Sequence, residues 1–213
     1  MTSEKEEKKG LLLTAMFPKK IVLFSNPPLS TSQSTIYRLA YNYITSSPDR
    51  KLIWVSSDQP ADKVPAIFKE FGFNIDKYKN RILFVDIVTS GAGVKTLGEK
   101  DEGVHYIESP NNMVEITMTL ADLFDDKAVG LAVIDSINGM LAFNGAEQVT
   151  RFLRFLPVIA VRTDTTILVN YIQGQYEKSM ENALQVTADA SLMADDGDLL
   201  IKTRTGVEKI ANR

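Results

Sequence analysis

The sequence contains no cysteine and only one histidine, His105. Without cysteine the chain has no disulfide, no thiolate metal site and no thiol nucleophile. One histidine cannot build a histidine-based metal cluster, and we interpret His105, next to Tyr106, as a loop residue. A cysteine-free composition is typical of proteins in a reducing compartment, so we expect a cytoplasmic protein.

Long apolar runs are missing as well. No stretch approaches the roughly 18 uninterrupted apolar residues of a membrane span, so we expect no contact with a membrane. The first ten residues, MTSEKEEKKG, mix acids with bases and precede only a short apolar run. This is not the pattern of a secretory signal, and we predict a flexible charged tail over residues 1–10.

The sequence also lacks an excess of basic residues. The chain carries 24 Lys and Arg against 27 Asp and Glu, a formal charge of −3. Domains that bind nucleic acid usually carry a strong basic excess, so the composition disfavours a nucleic-acid partner. Residues 11–213 are long enough to form one domain with a full core.

What the chain does contain is an alternation of apolar strands with amphipathic helices. Strands are predicted at the start of residues 21–42 and at residues 51–55, 82–86, 130–135 and 166–170. Strands separated by helices indicate crossover units with parallel strands. SLMA (residues 191–194), a DDGD turn and LLIKTR (residues 199–204) predict a terminal antiparallel hairpin.

Two segments are harder to interpret. Residues 89–110 hold four glycines and no sustained period, which predicts a long exposed loop. A later helix is predicted to bury Phe152, Phe155 and Leu156, and we expect Pro157 to kink or end it.

The stretch IVLFSNPPLSTSQSTIYRLAYN, residues 21–42, predicts a buried strand, a turn and an amphipathic helix. This is the arrangement of a P-loop, in which glycines let backbone N–H groups surround phosphate oxygens and a lysine supplies charge. Counted without a gap, Asn26, Leu29 and Thr31 take the glycine positions, Ser32 takes the lysine position and Gln33 that of the magnesium-binding hydroxyl. The arrangement is present without its phosphate-binding residues.

With these pieces in this order, the chain resembles the RecA-superfamily core, and most closely its KaiC-like and RadA-like branch. The resemblance extends from Phe17 to Arg204. It implies a three-layer sandwich with a mostly parallel central sheet, helices on both faces and a C-terminal antiparallel hairpin.

The resemblance also implies roles for residues at the strand ends. Asp58 and Gln59 match the position of the paired acids, one of which activates the hydrolytic water. Asp135 and Ser136, in AVIDS, match the aspartate that orients magnesium and its partner, and Asn170 matches the sensor residue. Lys202 and Arg204 match a Lys-x-Arg motif that reaches the nucleotide of the neighbouring subunit. Taken singly, an apolar strand that ends in Asp is often structural, and Lys-x-Arg is often a solvated hairpin face.

The departures from the family pattern affect catalysis. Removing one oxyanion-stabilising donor costs on the order of 3–4 kcal/mol of transition-state stabilisation. Here the glycines and the lysine are replaced, Asp58 is one methylene shorter than Glu, and Gln59 cannot take a proton. We therefore predict a non-catalytic regulatory or structural protein whose partner is a second copy or an active RecA-family relative. We expect no cofactor. The chain would bind ATP with magnesium only if the degenerate site still functions.

Two alternatives stay open. In the first, hydroxyls at residues 30–35 hold an anion at the helix N-terminus and Asp58 and Asp135 gather a metal, giving an ATPase with an altered pocket. In the second, the chain is a RadA paralogue that assists DNA recombination or repair. Basic pairs at residues 8–9 and 19–20 and the 77–81 turn give the second alternative little support.

Overall fold

The computed structural model describes residues 14, 17–27, 33–92, 102–176, 178–195 and 198–211. Within them, a nine-stranded sheet has the order β4-β3-β2-β5-β6-β1-β7-β8-β9. The strands are β1 Ile21–Asn26, β2 Lys51–Ser56, β3 Ile82–Asp86, β4 Val104–Tyr106, β5 Val129–Ile134, β6 Thr166–Ile172, β7 Ala190–Asp195, β8 Asp198–Thr203 and β9 Gly206–Ala211. The predicted tail, residues 1–10, lies outside the described residues.

All pairings from β4 to β7 are parallel, and β8 and β9 are antiparallel to their neighbours. The predicted fold class is therefore confirmed: a mostly parallel sheet with helices and a C-terminal antiparallel hairpin. The hairpin has one more strand than predicted, because β9 follows β8 after a short turn.

Six helices lie between the strands of the described chain. They are α1 Ser34–Ser46, α2 Val64–Glu70, α3 Met113–Phe124, α4 Ile137–Phe143, α5 Ala146–Thr163 and α6 Lys178–Thr187. Helices α3 to α6 pack on one face of the sheet, and α1 and α2 pack on the other. No helix of the described residues is both long enough and apolar enough to cross a bilayer.

Both faces of the sheet are buried because successive side chains of a strand point to opposite sides. On β2, Leu52 and Trp54 belong to the α1 and α2 side, whereas Ile53 and Val55 belong to the α3 to α6 side. All four side chains are fully buried. This explains why the parallel strands are nearly continuous apolar runs in the sequence.

The prediction of an exposed loop over residues 89–110 is wrong in its second half. Its second half contains β4, which pairs in parallel with β3 at the edge of the sheet, and Ile107 beyond it is fully buried. The strand is only three residues long and contains His105, so it has too few apolar residues to produce a strand pattern. His105 is therefore an edge-strand residue and not a loop residue.

Helix α5 continues through Pro157 to Thr163, so the proline does not end the helix, one of its two predicted effects. Leu153, Leu156 and Ala160 are buried on both sides of the proline and hold the helix against the sheet. Tertiary packing thus offsets the lost backbone hydrogen bond. Phe155, predicted to be buried, is exposed.

Candidate functional site

The candidate site lies at the carboxyl edge of the four central strands. Since β2, β5, β6 and β1 are neighbours in this order, their ends bring together Asp58, Asp135, Asn170 and Asn26. Ligands of open parallel sheets bind at this edge, beyond the carboxyl ends of the strands. The strand order alone therefore collects these four residues, which are distant in the sequence.

A chain of amide hydrogen bonds connects three of the strand ends. The Asn26 side chain donates from Nδ2 to Asn170 Oδ1 over 2.7 Å. Asn170 in turn donates from Nδ2 to the backbone carbonyl of Asp135, also over 2.7 Å. Asn26 is buried, so both amides are used to fix the ends of β1, β6 and β5 relative to one another.

The Asp135 carboxyl group is almost completely buried, with 8% of the residue exposed. Its Oδ1 accepts hydrogen bonds from the backbone N–H of Ser57 over 2.8 Å and from the Ser57 hydroxyl over 2.6 Å. Burial raises its pKa to about 7; the Ser57 bonds oppose this rise, and the neighbouring Asp58 charge adds to it. The carboxyl group is therefore partly protonated at neutral pH.

The indole of Trp54 lies under this carboxyl group. Its proximity lowers the Asp135 pKa, yet Nε1 has no partner within hydrogen-bonding geometry. The Ser56 hydroxyl at the end of the same strand is also buried without a partner. Two buried polar groups on β2 thus lie unsatisfied at the site, which is unusual for a native interior.

Ser136 and Gly139 bring α4 close to the end of β2. The Ser136 Oγ accepts a 3.0 Å hydrogen bond from the Gly139 N–H and caps α4. A methyl group on Gly139 would lie 2.4 Å from both Asp58 Oδ1 and the Ser57 carbonyl oxygen, so only glycine permits this approach. The start of α4 consequently rests directly on the Ser57-Asp58 backbone.

Asp58 itself is accessible to solvent, although the protein covers part of its carboxylate. This partial burial raises the pKa of Asp58, and a hydrogen bond with the Ser136 side chain opposes the rise. Gln59 is exposed and makes no side-chain hydrogen bond with a described residue. The structure thus places Asp58 beside Asp135 and leaves Gln59 at the rim.

Tyr37, on the first turns of α1, is a site residue that sequence reasoning missed. Its ring lies 5.0 Å from those of Trp54 and Phe68. Burial raises the pKa of Tyr37, and the negative charges of Asp135 and Asp58 raise it further. An apolar ring thus fills space beneath the site. Helical spacing could place Tyr37 on α1 but could not identify its neighbours.

The segment after β6 closes over the ends of β1 and α4, which sequence reasoning also missed. Gln173 donates from Nε2 to Ser25 Oγ over 2.6 Å and from its backbone N–H to the Asn26 carbonyl over 2.8 Å. Asn138 on α4 bonds to Gln175 over 2.8 Å and accepts from the Ile172 N–H over 2.9 Å. Glutamine and asparagine side chains therefore fasten this turn to the site.

The Asp135 Oδ1, at the position that the resemblance assigns to magnesium, already accepts two hydrogen bonds from Ser57. Among the described residues, no three His, Asp or Glu side chains are grouped as metal ligands would be. The site offers amides, hydroxyls and carboxyl groups.

The other predicted site residues lie either away from the candidate site or outside the described residues. Leu29, Thr31 and Ser32 are outside the described residues; Gln33 is exposed before α1, and its side chain does not cap the helix. Lys202 and Arg204 are exposed near the β8–β9 turn. Because β8 runs antiparallel to β7, this turn is at the opposite edge of the sheet from Asp135. The structure does not bring these two cations to the site of their own chain.

Several proteins share this fold. FlaH, a flagellar accessory protein from Methanocaldococcus jannaschii, superimposes with a TM-score of 0.60 at 13% sequence identity. The match covers 88% of this chain and 79% of the FlaH chain. A KaiC-like protein from Pyrococcus horikoshii OT3 superimposes with a TM-score of 0.61 at 14% sequence identity, and the match covers 90% of this chain and 84% of that protein. An uncharacterized Pyrococcus horikoshii protein, solved in complex with an unknown peptide, superimposes with a TM-score of 0.61 at 17% sequence identity. That match covers 90% of this chain and 82% of the other protein.

At these identities the structural similarities show the fold alone. No curated protein sequence matches the chain. The family described as the KaiC ATPase matches residues 34–196, well over half of the chain. The chain therefore belongs to the KaiC ATPase family.

Proposed function

We propose that this chain is a non-catalytic member of the family that acts as a regulatory or structural binding partner of other proteins. The observation that carries the proposal is the segment between β1 and α1. Residues 27–33, PPLSTSQ, contain neither glycine nor lysine. A phosphate-binding loop needs both, because glycine lets backbone N–H groups approach the oxygens and lysine neutralises their charge.

The environment of Asp135 supports the same proposal. An ATPase needs an ionised aspartate at this position to orient magnesium, which then neutralises the developing charge. Here burial disfavours the ionised form of Asp135 and the neighbouring Asp58 charge adds to this effect, although the Ser57 hydrogen bonds oppose it. Both the loop and the acid thus differ from a catalytic site, in separate parts of the sequence.

The partner role is supported by what the fold leaves exposed. Lys202 and Arg204 are on a hairpin that extends the sheet beyond its parallel part, where a neighbouring molecule has access to them. One structural relative was solved with a bound peptide, so a frame of this kind can hold a protein segment. The partner is a second copy or an active relative of the same family.

ATP turnover is the direct test of the lost activity. We expect purified protein with magnesium and ATP to release phosphate no faster than its Asp135→Asn and Asp58→Asn variants do. The asparagine side chains keep the size of the carboxyl groups, so folding is retained. Phosphate release that is clearly above background in the wild type and abolished in the Asp135→Asn variant would contradict the proposal.

A further inference from the structure

Exposed apolar side chains are concentrated on two adjacent helices. Ten large apolar side chains are exposed in the described chain, and five of them are on α3 and α5. We call these five the α3–α5 surface: Val114, Met118, Phe155, Val158 and Val161. A cavity of about 290 Å³ forms a groove between the two helices, lined by Met118 on α3 and by Phe155 on α5. Single exposed apolar residues are ordinary, whereas a contiguous group marks an interaction site.

The size of this surface matches the apolar part of a contact between two protein chains. Each of the five residues is between 52% and 68% exposed, which amounts to roughly 500 Å² of apolar area, in the upper range for one patch on a monomer. A contact of standard size takes about 800 Å² from each partner, and about 65% of the contact is apolar in homodimers. The α3–α5 surface therefore supplies the apolar area that a stable homodimer needs.

The helices α3 and α5 run in the same direction. Each lies between two parallel strands in the chain, on the same face of the sheet, and leads from the carboxyl end of one strand back to the amino end of the next. Met118 and Phe155 line the same cavity, so they lie at about the same level along the groove. Seven residues further on, the chain reaches Asp125 at the end of α3 and Arg162 at the end of α5. These two charged residues are therefore also at about the same level.

The two helices carry opposite charges at this end of the groove. On α3, Asp122 follows Met118 at i+4 and Asp125 follows it at i+7, and both aspartates are exposed. On α5, Arg162 follows Phe155 at i+7 and is exposed as well. The ion pairs between described residues include none of these three charges. The α3 side thus ends in acids and the α5 side ends in a base.

We propose that the α3–α5 surface is the contact between two copies of this chain, related by a two-fold axis that runs along the groove. Rotation about this axis exchanges the α3 and α5 sides and keeps every residue at its level. It therefore places Phe155 of one copy against Met118 of the other, and Arg162 against Asp125, twice in each dimer. An occupant with charge of one sign would be repelled by one of the two sides, whereas a second copy offers each side its opposite. The inference rests on the proposed function, for which it identifies the partner and the surface that binds it.

Reversal of one charge at a time tests the arrangement. Sedimentation equilibrium of the full chain at micromolar concentrations should give twice the mass of the chain. Asp125→Arg and Arg162→Asp should each weaken dimerisation by about tenfold, because each variant places like charges opposite one another in its own dimer. An equimolar mixture of the two variants should dimerise like the wild type, since the mixed dimer again pairs opposite charges at both contacts.

An apolar position and a matched control place the contact on the groove. Phe155→Asp should weaken dimerisation by about tenfold or more, since it puts a charge into the apolar area. Val186→Asp is the control, because Val186 is an 80% exposed helical valine on α6, and this variant should dimerise like the wild type. Thermal unfolding of each variant confirms that it is folded.

Three results would overturn the inference. The first is a wild-type chain that stays monomeric at a concentration on the order of 100 μM. The second is a dimer that Phe155→Asp leaves intact, and the third is a mixture of the two charge variants that associates as weakly as either variant alone. A monomeric chain without ATP turnover would leave the proposed function standing, with an active relative as the partner. ATP turnover by a dimer would contradict the loss of activity and leave the α3–α5 contact standing.

Discussion

Replacement of Asp135 by asparagine is expected to stabilise the protein at pH 8, by on the order of 4 kcal/mol. The folded-state pKa of about 7 is above the ordinary value of 3.8, so the folded chain binds the Asp135 proton more tightly than the unfolded chain does. The contribution of this group to stability is complete below pH 3.8 and is lost as the pH rises through 7. Asparagine stays neutral, keeps an oxygen for Ser57 and avoids that loss.

Urea denaturation between pH 4 and pH 8 measures this effect. The free energy of unfolding of the asparagine variant should exceed that of the wild type at pH 8, and the difference should shrink as the pH falls towards 4. An equal or lower stability of the variant at pH 8 would show that the ionised carboxyl group is better stabilised in the folded protein than its burial indicates.

Asp86 supplies the matched comparison, because it is a buried aspartate at the end of β3, next to β2. Its two oxygens accept four hydrogen bonds, from the Ala61, Val88 and Thr89 backbone N–H groups and the Thr89 hydroxyl. An asparagine there would direct an NH₂ group at donors. We expect Asp86→Asn to destabilise by about 3 kcal/mol, the opposite sign to Asp135→Asn.

Replacement of Gly139 by alanine is expected to destabilise the protein by about 3 kcal/mol. The added methyl group would lie 2.4 Å from the Ser57 carbonyl oxygen and 2.7 Å from its carbonyl carbon. Backbone atoms cannot rotate away as a side chain can, so α4 must move away from β2. That movement would also disturb the hydrogen bonds of Ser57 to Asp135.

Gly206, in the β8–β9 hairpin, is the control position, since a methyl group there would meet nothing within 4 Å. Gly206→Ala should change the free energy of unfolding by less than about 0.5 kcal/mol. A Gly139→Ala variant as stable as the Gly206→Ala variant would contradict the close packing of α4 on β2.

The sequence predicts the architecture well because the parallel strands are buried on both faces. Their apolar runs, such as ILFV before Asp86, stand out against the amphipathic helices. Asp58, Asp135 and Asn170 could be assigned to one edge for the same reason, since each follows or ends a predicted parallel strand. The strand β4 has few apolar residues and gave no such pattern. Helix α4 is mostly apolar but only seven residues long, too short for a helical period to be recognised.

Contacts between distant segments could not be predicted from the sequence. Nothing in the sequence pairs Ser57 with Asp135 or directs Gln173 to Ser25, because those bonds depend on the register of neighbouring strands. Phe155 shows the opposite limit, since an aromatic residue at helical spacing was assigned to the core and is exposed. Spacing locates a helical face, whereas the neighbouring helices decide whether that face is covered.

Isothermal titration calorimetry of the full chain with ATP and magnesium tests the central claim most directly. The account predicts no saturable heat at millimolar ATP, because the segment between β1 and α1 supplies neither glycine nor lysine to the phosphates. Saturable binding in the micromolar range that the Asp135→Asn substitution weakens would contradict it and would restore this chain to the nucleotide-binding members of its family.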